Sequence, residues 1–128
     1  MIVWCSRTLI HSPYLALCTT EKAFHNLCKK LKVPKDRTPK WLGEGGHAST
    51  HQFSRGDRDV YVVCMPTKHP RGIELAQQYC LLVHEAVHIW QGFREGIGEK
   101  APSSEFEAYS IQSLAQTLIA AYIEAKKR

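Results

Sequence analysis

The sequence predicts an α+β fold, in which a small, mostly antiparallel sheet packs against two long C-terminal helices. Short apolar runs occupy the first half of the chain, and two long segments with helical periodicity occupy the second half. The 128 residues suit one domain with one core, and an apolar content of 44% excludes a disordered chain. We therefore expect residues 1–128 to form a single domain of order β-α-β-β-α-α, with its helices on one face of the sheet.

The first half of the chain alternates apolar runs with turn-forming residues. Thr19 or Thr20 can cap a helix that runs to about Leu31. Residues 34–46 contain two Pro and three Gly and are predicted to form a loop. Residues 54–59 are predicted to form a hairpin between two strands. Three apolar runs are predicted strands: residues 14–18, 47–53 and 60–65.

The longest predicted element is a helix over residues 73–91, which contains neither Gly nor Pro and which Gly92 is expected to end. A helix that is mostly apolar but carries two histidines needs a partner for these polar groups, and a metal ion can supply it. One stripe should face the core: Leu75, Tyr79, Leu82, Ala86, Ile89 and Phe93. The other stripe carries Gln77, Cys80, His84, His88 and Gln91.

The most informative motif of the chain lies on this helix. It is His84-Glu85-Ala-Val-His88, which has the pattern HExxH. Residues four apart share one face of a helix, so His84 and His88 can bind one zinc ion. Glu85 could then take a proton from a zinc-activated water, as a general base. The alternative is that both histidines are core residues bonded to the backbone.

A catalytic zinc site usually has three protein ligands and one open position, so another ligand must come from outside the motif. A second long helix is predicted from Ser103 to about Lys126, and Glu107 lies on its apolar face. Glu107 is therefore the preferred third metal ligand, and Glu105 is expected to be more exposed. The alternative for Glu107 is a place at the helix N-terminus, as part of a capping box that begins at Ser104 or as a first-turn acid that the helix dipole stabilises.

These residues resemble those of a known family. His84-Glu-Ala-Val-His88, followed by Glu107-Ala-Tyr-Ser, resembles the gluzincins, the thermolysin-like zinc peptidases whose third ligand is a glutamate on the following helix. The resemblance covers about residues 60–120. It implies a minimal zincin-like domain, in which the sheet packs on the HExxH helix and an edge strand aligns an extended substrate. It also implies that His84, His88 and Glu107 bind Zn²⁺ and that Glu85 is the general base of a metalloendopeptidase.

Parts of the gluzincin pattern are missing. The chain has no counterpart of the large C-terminal domain that supplies the oxyanion-stabilising histidine of thermolysin-like enzymes, so it resembles compact one-domain zincins. His47, His51 and Tyr109 are candidates for stabilising the tetrahedral intermediate instead. The predicted strand over residues 47–53 is the candidate for the edge that aligns the substrate. On that strand the two histidines would share one face, too far apart for a second metal site.

Cysteine usage and hydropathy bear on the location of the protein. The five cysteines include no Cys-x-x-Cys pair, which disfavours a disulfide framework and favours reduced thiols in a cytoplasmic protein. Cys80 lies one turn before His84 and could approach the metal, although a buried cysteine is usually a small hydrophobic residue. No run of 18 apolar residues exists and the N-terminus does not resemble a signal peptide, so we expect no membrane span.

The net charge of +5 leaves the binding partner open. Basic residues concentrate between residues 22 and 40, where they could bind nucleic acid, although a solvated helix face explains them more simply. The leading hypothesis is a zinc peptidase that acts on peptide or protein substrates. The alternative is a non-catalytic zinc-binding zincin-like domain that binds nucleic acid or a protein partner.

Overall fold

The computed structural model describes residues 1–5, 14–43, 46–56, 58–70 and 72–128. Four strands are present: β1 (Ile2–Trp4), β2 (Tyr14–Cys18), β3 (Ser49–Arg55) and β4 (Arg58–Cys64). Three α-helices accompany them: α1 (Glu21–Lys30), α2 (Leu75–Gly96) and α3 (Ser104–Lys126). A short 3-10 turn at Lys35–Arg37 interrupts the predicted loop.

The strands form one mixed sheet in the order β1-β2-β4-β3. β1–β2 and β3–β4 are antiparallel, whereas the central pair β2–β4 is parallel. The predicted α+β class is confirmed, and the three predicted strands are present, with the ends of β3 and β4 shifted by one or two residues. β1 adds a fourth strand that the sequence did not reveal. β3 lies at one edge of the sheet, next to α2 in space.

Helices cover both faces of the sheet, so the prediction that they lie on one face is wrong. Successive side chains of a strand point to opposite faces. Leu15, Leu17, Tyr61 and Val63 pack with α2 and α3, whereas Ala16, Cys18, Val60 and Val62 pack with α1. The central strands are apolar at nearly every position, which is typical of strands that are buried on both faces.

Helix α2 continues past Gly92 and ends at Gly96, so the predicted stop at Gly92 is wrong. A Cβ atom at Gly92 would lie 2.2 Å from the hydroxyl oxygen of Tyr61. Gly92 therefore makes room for a neighbouring side chain. The left-handed glycine that commonly follows a helix is Gly98, with φ of +72° and its N–H bonded to the carbonyl oxygen of Glu95.

The two predicted stripes of α2 are largely confirmed. The polar stripe from Gln77 to Gln91 is exposed, and Tyr79 packs against the core. Leu75 was predicted to face the core but is 50% exposed. It is the first residue of α2 and lies one turn before Tyr79, the first residue of the stripe that packs against the core. Four residues of the apolar stripe are buried: Leu82, Ala86, Ile89 and Phe93.

Both predicted helix starts can be compared with the observed caps. Thr20 caps α1 by accepting a hydrogen bond from the N–H of Ala23, as expected. The cap of α3 is Ser103, which accepts from the N–H of Phe106. The capping box that would begin at Ser104 is therefore absent. Glu107 nevertheless lies in the first turn of α3, where the helix dipole stabilises an acidic side chain.

Two simple expectations concern the whole described chain. All five cysteines lie in described segments and are free thiols. None of the described helices is both long and apolar enough to cross a membrane.

Candidate metal centre

The two histidines of the motif converge on the exposed side of α2. The Nε2 atoms of His84 and His88 are 3.1 Å apart, and both side chains are exposed. A tetrahedral zinc ion with Zn–N bonds of about 2.0–2.1 Å holds two nitrogens about 3.3 Å apart. The observed spacing is close to this value, and it is also that of a direct N–H···N hydrogen bond between the two rings. The exposure of both side chains does not fit the alternative that these are buried core histidines.

A neighbouring amide orients one imidazole. Nδ1 of His88 donates a hydrogen bond to Oε1 of Gln91 at 3.3 Å, in the tautomer that carries a proton on Nδ1. That tautomer leaves the lone pair of Nε2 free to bind a metal. Histidine ligands of metals typically have such a partner on their other ring nitrogen.

Glu85 lies on a different side of α2 from the two histidines. It is only 5% exposed, and its Oε1 accepts a 2.8 Å hydrogen bond from the hydroxyl of Thr50 on β3. Few charged side chains are this deeply buried without a partner. The carboxylate is therefore fixed between the helix and the edge strand.

An open cleft of about 560 Å³ separates β3 from α2, and we call it the β3–α2 cleft. Glu85 and His88 both line it, so the buried carboxylate and one imidazole face the same space. Its other lining residues come from β3, β4, the preceding loop and the next turn of α2: residues 49–52, Tyr61, Lys40, Gly43 and Gly92.

Tyr61 is a cleft residue that the sequence interpretation missed. Its side chain is 3% exposed, and its hydroxyl is buried without a hydrogen-bond partner among the described residues. The signal was available in the sequence: a tyrosine in an otherwise apolar strand, and a glycine within a long helix. Either residue alone is unremarkable, and only the fold places Tyr61 against Gly92.

Glu107 lies beside the α2 turn that follows His88. Its Oε2 accepts a 2.9 Å hydrogen bond from the indole N–H of Trp90, and Trp90 itself is buried. Glu107 is half-buried and Glu105 is exposed, as predicted. Within the described segments, however, no three His, Cys, Asp or Glu side chains are grouped closely enough to hold a metal ion. The structure thus brings two of the three predicted ligands together.

The remaining predicted site residues lie apart from one another. His51 lines the cleft, but its Nε2 is 3.1 Å from the carbonyl oxygen of Trp41 and its ring packs on Phe24. His47 precedes β3 and lies near His69, with ring centroids 6.4 Å apart. The prediction that His47 and His51 share one face of a strand is therefore wrong.

Two further candidates sit on helix surfaces. Tyr109 is 66% exposed on α3, and it is not among the residues that line the β3–α2 cleft. Cys80 is exposed on α2, one turn before His84. It is therefore not the small buried hydrophobic residue that the usual behaviour of cysteine would suggest.

Comparisons of the chain with protein-family models, curated proteins and solved structures gave no match. The functional interpretation therefore rests on the residues and their geometry.

Proposed function

We propose that this chain is a zinc-dependent metalloendopeptidase of the gluzincin type, built on a compact zincin-like domain. The observation that carries the proposal is the arrangement of the HExxH residues. The Nε2 atoms of His84 and His88 lie 3.1 Å apart, and Glu85 between them in sequence is buried against an edge strand. A structural zinc site could use two histidines at this spacing, but it would have no need for the buried carboxylate.

His84 and His88 would hold Zn²⁺, with Glu107 as the proposed third ligand. Zinc, when bound, would polarise the scissile carbonyl and make water a better nucleophile at neutral pH. Glu85 would accept the proton of the attacking water and deliver it to the leaving nitrogen. The bond from Thr50 orients the carboxylate for both transfers.

The edge position of β3 suggests how a peptide would bind. An extended peptide can pair with an exposed sheet edge as an additional strand. β3 is an edge strand of the described sheet, and its residues 49–52 line the same cleft as Glu85. A peptide paired with β3 would therefore pass close to the proposed general base. Five free thiols suit a reducing compartment such as the cytoplasm.

A second candidate function is a non-catalytic zinc-binding interaction domain. The observation that favours it is that only two ligands are grouped in the described residues. In that case zinc would serve stability or a partner interface, and Glu85 would only hold β3 against α2. The basic residues between positions 22 and 40 would then be the natural surface for a nucleic acid or an acidic partner.

The first experiment measures the metal content of protein purified without chelator, by mass spectrometry. We expect near-stoichiometric zinc in the wild type, and strong loss in His84→Ala and in Glu107→Gln. His25→Ala, which removes an exposed histidine of α1, is the matched control and should retain zinc. Absence of zinc from the wild type would refute both candidate functions.

Glu85→Gln separates the two candidate functions. Glutamine can still accept the hydrogen bond from Thr50, so the variant should fold and bind zinc. Hydrolysis of a dye-quenched casein should fall by at least about 10²-fold, because the amide cannot accept a proton. Equal hydrolysis by the wild type and Glu85→Gln, or none by the zinc-loaded wild type, would favour the interaction domain.

A further inference from the structure

A second open cleft, of about 550 Å³, lies between β3 and the loop that follows α1, and we call it the β3–loop cleft. Residues 50–54 of β3 form one wall. The loop contributes the other wall, which consists of Val33, Pro34, Arg37 and Pro39. None of these loop residues belongs to the proposed metal centre.

The two clefts adjoin the same stretch of the edge strand. Thr50, His51 and Gln52 line both of them. The hydroxyl of Thr50 bonds to Glu85 on α2, whereas the ring of His51 packs on Phe24 of α1, so these neighbours point to opposite faces of the sheet. A peptide paired with β3 would therefore direct successive side chains alternately toward the two clefts.

Two contacts anchor the loop to β3. The N–H of Gly43 donates a 2.7 Å hydrogen bond to Oγ of Ser49. Nε2 of His51 is 3.1 Å from the carbonyl oxygen of Trp41, to which it donates in the tautomer that carries a proton on Nε2. Arg37 ends the 3-10 turn that precedes these anchors. The loop wall is thus held beside the strand before a peptide binds, which lowers the cost of ordering it.

The charge of the β3–loop cleft is positive. Arg37 is exposed and has no ion-pair partner among the described residues. Asp36, its neighbour in the 3-10 turn, lines neither cleft, and no carboxylate lines the β3–loop cleft in the described part of the chain. Lys40 adds a second cation at the β3–α2 cleft, where the carboxylate of Glu85 is buried against Thr50. A carboxylate that enters from solvent would therefore meet a free guanidinium.

We propose that the β3–loop cleft binds an acidic side chain of an extended peptide and that Arg37 selects this side chain. Arginine pairs with carboxylates through two parallel hydrogen bonds, which gives the contact direction as well as charge. Acidic peptides then become the substrate class of the proposed peptidase, a step that rests on that function. The β3–loop cleft reaches two residues further along β3 than the β3–α2 cleft does, so the acidic residue should lie within about three residues of the cleaved bond.

The first test measures peptide binding without turnover. Zinc-loaded Glu85→Gln is titrated into fluorescently labelled peptides of alternating Asp-Thr or Lys-Thr sequence, whose charged side chains all lie on one face of an extended strand. Fluorescence anisotropy at low ionic strength should show about 10-fold tighter binding of the Asp-Thr peptide. Added salt should weaken this preference, because exposed charges are screened. Equal affinity for the two peptides would overturn the inference.

Arg37→Glu and Lys35→Glu, each made in the Glu85→Gln background, separate a local contact from the overall charge. Both variants change the net charge equally and lie in the same 3-10 turn, but Lys35 lines neither cleft. Arg37→Glu should abolish or reverse the preference for the Asp-Thr peptide, whereas Lys35→Glu should retain most of it. An equal loss in both variants would show a general electrostatic effect and overturn the role of Arg37.

Cleavage supplies the second readout. The zinc-loaded wild type is incubated with a library of quenched fluorescent peptides that is randomised on both sides of the cleaved bond. Asp and Glu should be enriched at one position, and Arg37→Glu should remove this enrichment. Cleavage without an acidic preference would overturn the inference and leave the peptidase proposal intact. No cleavage, combined with binding of the Asp-Thr peptide that depends on Arg37, would overturn the peptidase and leave the acidic-peptide site.

Discussion

Thr50 on the edge strand donates a 2.8 Å hydrogen bond to Oε1 of Glu85 on helix α2, 35 residues away in the sequence. The bond joins two layers of the fold at the wall of the β3–α2 cleft. It also gives a buried carboxylate a donor, without which burial of the charge would be costly. A single contact therefore serves both the packing of β3 and the orientation of the proposed general base.

Thr50→Val tests this contact, because valine keeps the shape of the side chain and removes its donor. We expect the free energy of unfolding to fall by about 1–3 kcal/mol, since the buried carboxylate loses its partner. Urea denaturation of the zinc-free protein measures this loss. Thr117→Val is the control: the hydroxyl of Thr117 donates to the carbonyl oxygen of Ser113 within α3. Thr117→Val should lower the free energy of unfolding by less than Thr50→Val does. An equal loss in the two variants would show that the bond from Thr50 to Glu85 contributes no more than the bond within α3.

Gly92→Ala should destabilise the protein, although alanine is the better helix former. The new Cβ atom would lie 2.2 Å from the hydroxyl oxygen of Tyr61 and 3.0 Å from the adjoining ring carbon, so the buried ring must move. Overpacking of this kind typically costs about 1–3 kcal/mol. Chemical denaturation should therefore give a lower free energy of unfolding than for the wild type.

Gly96→Ala is the matched control for Gly92→Ala. Gly96 lies at the end of the same helix, and nothing lies within 4 Å of a Cβ atom placed there. The change should be neutral or stabilising, by up to about 1 kcal/mol, through helix propensity alone. Adding Tyr61→Phe to Gly92→Ala removes the shortest contact and should restore part of the loss. No recovery in the double variant would contradict a clash with the Tyr61 hydroxyl.

His69 should make stability depend on pH. The pKa of His69 is lowered, first by burial and then by the charges of Lys126 and His47, and the nearby backbone of Pro66 offsets this lowering only in part. Its Nδ1 is buried without a partner in the described structure, so a second proton would be poorly solvated. The unfolded chain, with an ordinary pKa of about 6.5, then binds more protons than the folded chain.

Protonation of His69 should therefore lower the free energy of unfolding as the pH falls. Stability from neutral His69 is fully present above about pH 6.5 and is lost as the pH falls toward the lowered pKa. Urea titrations at about pH 7.5 and about pH 5.5 should show a smaller pH-dependent loss in His69→Gln than in the wild type. His25→Gln, at an exposed site on α1, should retain the wild-type dependence. If His69→Gln lost as much stability between these two pH values as the wild type does, His69 would be excluded as the source of the pH dependence.

Periodicity predicted the parts of this fold that depend on local sequence. The strand at 14–18, the cap at Thr20 and the buried stripe of α2 all follow from patterns within a few residues. Sheet topology depends on distant pairing, so the sequence revealed neither the parallel β2–β4 pair nor the helix layer on the second face. Gly92 was misinterpreted because its neighbour, Tyr61, is distant in sequence.

The candidate site also combines features that local sequence predicts with features that depend on how distant elements pack. The convergence of His84 and His88 depends only on helix geometry, and it is present as predicted. The placement of Glu107 depends on how α3 packs against α2, and the contact that results is with Trp90. Tyr61 could be assigned to the cleft only once the sheet and α2 were assembled.

Trp90→Phe tests whether Glu107 is a metal ligand. The indole N–H of Trp90 holds the carboxylate of Glu107, and hydrogen-bond partners of this kind typically contribute about 10–100-fold to metal affinity. Competition with a chromophoric chelator should therefore show zinc binding weakened by about 10–100-fold in Trp90→Phe. Phe93→Leu, which trims a neighbouring buried aromatic without removing an N–H, should leave zinc affinity nearly unchanged.

A double-mutant cycle then separates orientation from packing. If Trp90 acts by orienting a ligand, Trp90→Phe should weaken zinc binding in the wild-type background and have little further effect in Glu107→Gln. Equal effects in both backgrounds would mean that Trp90 acts through packing alone. In that case Glu107 would be a half-buried carboxylate held by an indole, and the third ligand would have to come from another residue. The cycle therefore decides whether the 2.9 Å contact between Trp90 and Glu107 belongs to the metal centre.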